Sequence, residues 1–337
     1  MNIVQVLGGN EDGGLEKHVI ELCNDLAKRS HKVTLISHKR YESFLDKGVA
    51  FRELDMSVSR YSPFMLFKLV KILNSLEYEI IHTHANKATQ IVNSMRTFLK
   101  HPKIVSTLHS YKKNLSMFEK SDFVISVSDK VGQRLTNVKK ATIYNGIEPK
   151  DITNKEELYS KYNVKEGDCI VSSIGRLVDV KGFDILLEAF IGIDAKLLIV
   201  GEGKEEENLK NLTKKLALEE QVLFTGFVKN VEEIIAISDL VVIASKKEGF
   251  PYTFVETTLH NKPIISTDVS DIAQIIDNRY IVNYGDVKGL HEKISYFRDN
   301  FKECNSDFLS VYEFAQQNLT REKMVDKTIE IYKKVLH

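Results

Sequence analysis

Glu248 and Glu256 lie eight positions apart in the segment Glu-Gly-Phe-Pro-Tyr-Thr-Phe-Val-Glu, just after the apolar run Leu240 to Ala244. Pro251 suits the first position of a helix, where its missing N–H has no partner to lose, so a helix is expected from there onward. The free backbone N–H groups at such a start point back toward the strand end and form a site for an anion. Glu248 then falls in the loop before the helix and Glu256 more than a turn inside it. Between the two acceptors is a gap the size of a diphosphate, with a sugar hydroxyl in reach of one carboxylate and a ribose in reach of the other.

Two cations stand at another strand end. Ser173-Ile174-Gly175-Arg176 closes the run Ile170 to Ile174, and Lys181-Gly182-Phe183-Asp184 opens the next helix. Arg176 and Lys181 could neutralise a diphosphate leaving group, since ligands of open α/β sheets gather at strand ends. The chain has no Asp-x-Asp, the usual clamp for a divalent metal on a nucleotide diphosphate, and charge neutralisation by these two cations fits that absence. Gly13-Gly14-Leu15-Glu16 follows the first strand and opens a helix to about Arg29, where a backbone free of side chains can approach a phosphate closely. A tight strand-to-helix turn is the plainer reading of that pair, and its spacing with Gly8 and Gly9 is not Gly-x-Gly-x-x-Gly. Gly201-Glu202-Gly203 is equally a structural turn or a phosphate-side loop. Of the histidines near strand ends, His82 and His84 lack an evident third ligand for a metal. His109, in Ser-Thr-Leu-His, is the better candidate for a place near a reacting sugar.

The elements that must position these residues alternate from end to end: short apolar runs followed by longer amphipathic stretches, the pattern of parallel sheets with helical crossovers. Strands are expected at Ile3–Leu7, Val33–Ser37, Ile80–His82, Ile104–Leu108, Phe123–Val127 and Thr142–Tyr144. A second set is expected at Ile170–Ile174, Lys196–Val200, Val222–Phe224, Leu240–Ala244 and Pro263–Ser266. The class is α/β. With 337 residues the chain can bury two cores, and the charged stretch Ile147 to Val164, with Pro149, reads as the linker. Domains are expected at 1–150 and 151–319, with a helix at 320–337 that could pack back on the first.

Net charge is zero, yet residues 1–150 hold 23 Lys+Arg against 15 Asp+Glu, a balance of +8 that the remainder cancels. Such asymmetry points to an anionic ligand or surface on the first domain. Within it, Ser62 and Pro63 open a helical pattern whose apolar stripe is Met65, Leu66, Leu69, Ile72, Leu73 and Leu76. Another face mixes Phe64 and Phe67 with Lys68 and Lys71, which could rest on anionic headgroups or be a solvated surface. No apolar run approaches the roughly 18 residues that span a bilayer. The first residues read as a strand rather than a signal peptide, so a cytoplasmic protein is expected. Cys23, Cys169 and Cys304 are too scattered for a disulfide framework or a zinc site, and no nucleic-acid recognition motif accompanies the basic residues.

Taken together, these segments resemble glycosyltransferase family 4, the retaining enzymes of GT-B fold. The most specific parts are Gly-Arg-Leu-x-x-x-Lys-Gly-Phe-Asp at 175–184, Val-Gly-Glu-Gly at 200–203, and Glu-Gly-Phe-Pro with the second glutamate at 248–256. Gly-Gly-Leu-Glu at 13–16, Ser-Thr-Leu-His at 106–109 and Tyr-Asn-Gly-Ile-Glu at 144–148 support them. The resemblance implies two Rossmann-like parallel-sheet domains facing each other across a cleft, the first on the acceptor side and the second binding the donor. It implies that Arg176 and Lys181 hold the donor diphosphate with backbone N–H groups near Phe250, Pro251, Tyr252 and Thr253. Glu256 would bind the ribose, Glu248 the donor sugar, Gly13 and Gly14 the phosphates, and His109 would lie beside the transferred sugar. The implied reaction keeps the anomeric configuration, needs no metal or other cofactor, and moves a sugar from a nucleotide diphosphate, expected to be uridine-linked, to a saccharide or lipid-linked acceptor. The chain departs from the family pattern at Thr257, where a small residue is usual, at Asn261, where a glycine is usual, and at Ser270-Asp271, where a Gly-Gly is common. An acid at that last loop would repel phosphates. A nucleotide-sugar epimerase of the same plan and a non-catalytic binding subunit are the alternatives.

Overall fold

Continuous runs of Val, Ile and Leu, rather than alternating ones, mark strands buried on both faces, as parallel sheets are. The computed structural model, which describes residues 1–11, 13–100, 102–152 and 154–337, holds two such sheets in two units. The first unit is Met1–Asn145 with Glu322–His337 and the second is Gly146–Arg321. Strands of the first are β1 (Asn2–Leu7), β2 (Lys32–Ser37), β3 (Val49–Glu53), β4 (Ile80–His84), β5 (Lys103–Leu108), β6 (Phe123–Ser126) and β7 (Lys140–Thr142). Those of the second are β8 (Ile170–Ile174), β9 (Lys196–Val200), β10 (Val222–Gly226), β11 (Leu240–Ile243), β12 (Ile264–Thr267) and β13 (Ile281–Val282).

The first sheet runs β3-β2-β1-β4-β5-β6-β7 and the second β10-β9-β8-β11-β12-β13, with every pairing parallel. In each unit the strand order reverses once, between β1 and β4 and between β8 and β11. Crevices at the carboxyl ends of strands open at such reversals. In the first unit, Ile3, Leu7 and Ile80 pack with Val19, Leu22 and Leu26 of helix Gly14–Lys28 and with Met324, Val325 and Tyr332 of helix Arg321–Leu336. Val4, Val6 and Ile81 pack on the opposite face against Met65, Leu69 and Leu73 of helix Pro63–Asn74. The period-two alternation of a strand sorts the two cores.

Three sequence expectations change. The stretch 147–164 is not a linker: it carries helix Lys155–Lys161, capped by the Asn154 side chain, which accepts from the Glu157 N–H. Leu158, Tyr162 and Val164 bury against Ile170, Leu198 and Ile234, so its charges are the wet face of an amphipathic helix. β3 and β13 were not expected; both are edge strands with a weak apolar signature, and β13 has two residues. Pro251 is the residue before the helix rather than its first, with φ −70° and ψ 133°, and the helix spans Tyr252–Leu259. Among the described residues no helix is long and apolar enough to cross a membrane.

Candidate functional site

The second unit assembles its candidate residues at the β8/β11 reversal. β8 ends at Ile174, directly before Gly175 and Arg176, and β11 ends at Ile243, five residues before Glu248. Lys181 comes from the turn Asp179–Lys181, after which Gly182 takes φ +66°. A Cβ at Gly182 would collide with the Ala244 carbonyl oxygen, so glycine is needed both for the left-handed backbone and for the approach of this turn to the end of β11. Gly201 plays the same part beside Gly175, with φ +130° and no room for a Cβ against the Gly175 carbonyl. This gives Gly201-Glu202-Gly203 a structural role, and the Leu177 N–H donating to Glu202 O at 2.9 Å ties the two loops.

Lys181 Nζ lies 2.6 Å from Glu248 Oε1, and Ser245 Oγ donates to the same oxygen at 2.7 Å. The ion pair is mostly shielded, with side chains 22 % and 13 % exposed. Lys181, Glu248, Pro251 and Thr253 line a cavity of about 10 Å³, room for about one water. A larger anion there must part the lysine from the glutamate. Thr253 Oγ1 donates to Ile174 O at 3.3 Å, fixing the first turn of helix Tyr252–Leu259 to the end of β8. Phe250 and Pro251 are buried, Tyr252 and Thr253 partly so, and Arg176 is exposed. Glu256, 5 % exposed, sits in the second turn of that helix.

The departures from the family pattern have physical readings. Asn261 has φ +54° just past the helix, the conformation for which glycine is favoured and asparagine tolerated. Its N–H donates to Thr258 O and the Lys262 N–H to Thr257 O, the two bonds of a Schellman end. Ser270 likewise has φ +53°, and its hydroxyl donates to the Gly249 carbonyl, next to Glu248. Asp271 is fully buried. Thr257 is fully buried with Oγ1 unbonded.

In the first unit the β1/β4 reversal is rich in histidine. His84 is the last residue of β4 and His109 follows β5, while His82 lies within β4, which runs two residues further than expected. Helix Gly14–Lys28 starts after Gly13, whose φ of −167° is extended backbone open to any residue. One turn in, it delivers His18. His18, His84 and His109 each bring a ring nitrogen within 4.8 Å of the others, so the third histidine missing from the local spacing comes from another element. Burial holds His82, His84 and His109 well below the ordinary histidine value and lowers His18 to about 4, against a hydrogen bond to Asn145 that raises it. All four are neutral at pH 7. His18 Nδ1 is buried without a partner.

Ser245, His18, Gln5 and Tyr332 escaped the sequence reading. Gln5 did leave a signal, as the one polar residue inside Ile-Val-Gln-Val-Leu. Tyr332 left none, because its partners His82 and Gln5 are 250 and 327 positions away.

On helix Pro63–Asn74, Met65, Leu69 and Leu73 are buried, and Phe64 (77 % exposed) and Phe67 (70 %) project into solvent beside the exposed Lys68 and Lys71. Ser62 precedes that helix without capping it through its side chain.

Residues 12–151 match the model of Glycosyltransferase Family 4 and residues 154–306 that of Glycosyl transferases group 1. N-acetyl-alpha-D-glucosaminyl L-malate synthase of Bacillus anthracis is 29 % identical over 94 % of this chain and 92 % of its own length. The O-antigen biosynthesis glycosyltransferase WclY of Escherichia coli is 25 % identical over 76 % and 79 %. A solved glycosyltransferase of Rickettsia africae superposes with a TM-score of 0.86 at 22 % identity, over 99 % of this chain and 98 % of that one. HepE of Anabaena, solved with UDP-glucose, superposes with 0.86 at 18 %, over 99 % and 100 %. With both sheets, both family matches and these relatives in agreement, the chain is a glycosyltransferase of family 4, built on the GT-B plan.

Proposed function

We propose that this enzyme transfers a sugar, with retention of configuration and without a metal, from a nucleotide diphosphate donor to a hydroxyl acceptor. The observation that carries the reading is the β8/β11 reversal, where Arg176, the Lys181–Glu248 pair and the start of helix Tyr252–Leu259 converge. A donor diphosphate takes Lys181 from Glu248 and is held by Lys181, Arg176 and the N–H groups from Phe250 to Thr253. Glu248, freed of its cation, accepts hydroxyls of the donor sugar, and Glu256 accepts from the ribose. From the first unit, Gly13 and Gly14 approach the phosphates and His109 lies beside the transferred sugar. The leaving phosphate takes the acceptor proton, so no protein nucleophile is required. UDP is the favoured nucleotide because the similar HepE was solved with UDP-glucose.

The acceptor is read as a saccharide or lipid-linked saccharide in surface polysaccharide assembly, a reading supported by a similar protein named as an O-antigen biosynthesis glycosyltransferase. A small hydroxy acid is the second reading, favoured by the longer match to a malate-glucosaminylating relative. For the first reading, a cytoplasmic enzyme docks on anionic membrane through the exposed Phe64, Phe67, Lys68 and Lys71 face. Sedimentation with phosphatidylglycerol vesicles should fall with Phe64→Ser combined with Phe67→Ser, and unchanged sedimentation removes that docking face.

Thermal stabilisation across a panel of nucleotide sugars identifies the donor by mass action, and transfer with chelator present then separates saccharide from malate acceptors. Arg176→Ala should reduce both donor hydrolysis and transfer by on the order of 10²-fold. Undiminished rates would refute the diphosphate site, and an altered free sugar nucleotide with no acceptor consumed would make the protein an epimerase.

A further inference from the structure

One face of the first sheet is apolar at Ile3, Leu7, Ile80 and Val105 and then interrupted at Gln5, His82, His84 and Thr107. None of these four is more than 1 % exposed, and Tyr332 above them is fully buried. Burying this many hydrogen-bonding groups costs stability unless each is satisfied. Here they satisfy one another. Gln5 Nε2 donates to the Tyr332 hydroxyl at 2.9 Å, and Tyr332 is 2.6 Å from His82 Nδ1, whose Nε2 is 2.7 Å from Thr107 Oγ1. On its other side Gln5 Oε1 is 2.7 Å from His84 Nε2, and His84 Nδ1 is 3.2 Å from His109 Nε2.

With the Gln5 amide placed Nε2 to Tyr332 and Oε1 to His84, proton counting along this chain has one solution for neutral rings, and the flipped amide would reverse every bond in it. An amide oxygen only accepts, so His84 Nε2 carries the hydrogen and His84 Nδ1 is bare. A bare Nδ1 accepts, so His109 Nε2 is the donor and His109 Nδ1 is the lone-pair nitrogen. In that orientation Tyr332 accepts the Gln5 amide N–H and gives its own proton to His82 Nδ1, whose Nε2 then donates to Thr107. His109 is the partly exposed member, and the structure gives its Nδ1 no hydrogen-bond partner among the described residues.

We propose that Gln5 and Tyr332 are positioning residues that fix the tautomer of His109, so that its ring offers Nδ1 to ligand as a hydrogen-bond acceptor only. The assignment rests on the reading of His109 as a neighbour of the transferred sugar. An acceptor nitrogen takes a sugar hydroxyl's proton into a hydrogen bond and cannot donate to the departing phosphate, which keeps the acceptor's proton for that phosphate. A metal at His18, His84 and His109 is the competing use of the cluster. Zinc–nitrogen bonds of about 2.0–2.1 Å in tetrahedral geometry place ligand nitrogens about 3.3 Å apart. The 4.8 Å spread is wider than that, and both His84 nitrogens are already engaged.

The test is the ring-nitrogen spectrum of the full-length protein labelled with ¹⁵N-histidine, assigned by His109→Asn. Wild type should show His109 protonated at Nε2. Tyr332→Phe and Gln5→Leu should give a mixed or inverted tautomer, and kcat should fall at least about tenfold while KM for the nucleotide sugar stays within about twofold. Gln5→Glu, which still accepts from His84 Nε2, should keep the wild-type tautomer and most of kcat. A wild-type His109 protonated at Nδ1, or a tautomer unmoved in both Tyr332→Phe and Gln5→Leu, would overturn the proposal. So would stoichiometric Zn²⁺ uptake that shifts all three rings. An intact tautomer pattern in a protein that transfers no sugar would instead sink the reading of His109.

Discussion

The two sheet reversals solve the same problem with opposite electrostatics. At β1/β4 the polar groups are neutral, buried and bonded to one another, and at β8/β11 the central contact is an ion pair, Lys181 with Glu248. A charged ligand can divide an ion pair, drawing the cation and leaving the carboxylate to accept hydroxyls. A neutral network has no charge to give and can only direct hydrogen bonds. On the proposed reading, the cationic contacts to phosphate come from the second unit and hydrogen-bond direction toward an uncharged group from the first, although the first carries the net positive charge.

The largest effect should come from dividing the ion pair by mutation. Lys181→Met should lower transfer by on the order of 10²–10³-fold and leave a shielded carboxylate with only the Ser245 hydroxyl. Adding Glu248→Gln should recover stability but not activity, with a coupling of about 1–3 kcal/mol between the two sites in denaturant unfolding. If Lys181→Met left KM for the nucleotide sugar unchanged, the contrast between the units would fail at its charged end.

Acid tests the neutral end. His18, His82, His84 and His109 ionise below the ordinary value of about 6.5 when folded. Below pH 6.5 the unfolded chain therefore binds protons that the folded unit refuses, and stability falls with pH. A histidine that stays neutral when folded contributes up to about 1.4 kcal/mol per pH unit below 6.5, so stability should fall steadily as the pH drops from 6.5 to 5.5. Native-state hydrogen exchange at pH 7 and 5.5 should show β1, β4 and β5 losing protection before β8 and β11. Equal losses in both sheets would show that the histidines do not set the acid sensitivity.

How far the sequence revealed this depends on whether the signal is local. Strands with both faces buried are apolar without a break, so Ile170–Ile174 and Lys196–Val200 were legible to the residue, while the edge strands Val49–Glu53 and Ile281–Val282 were not. Arg176, Lys181 and Glu248 were legible because each stands at a strand end, yet nothing in their spacing showed that Lys181 and Glu248 form one pair across 67 positions. The first unit was less legible still. His84 and His109 advertise themselves, but the helix that brings His18 and the C-terminal helix that brings Tyr332 enter only through the fold.

The smallest effect concerns the loop beside Glu248. Ser270 holds φ +53°, which costs an L-residue roughly 1–2 kcal/mol, while its hydroxyl ties the Gly249 carbonyl, a bond contributing about 0.5–1.5 kcal/mol. Ser270→Gly removes both terms and should change stability by less than about 0.5 kcal/mol. Ser270→Ala keeps the strained backbone and loses the bond, and should cost about 1 kcal/mol. Because the tether acts on the residue next to Glu248, both variants should raise KM for the donor by a similar few-fold factor despite their different stabilities. A rise in KM that followed stability rather than the hydroxyl would mean that Ser270 supports the second unit's fold and not the placement of its charged pair.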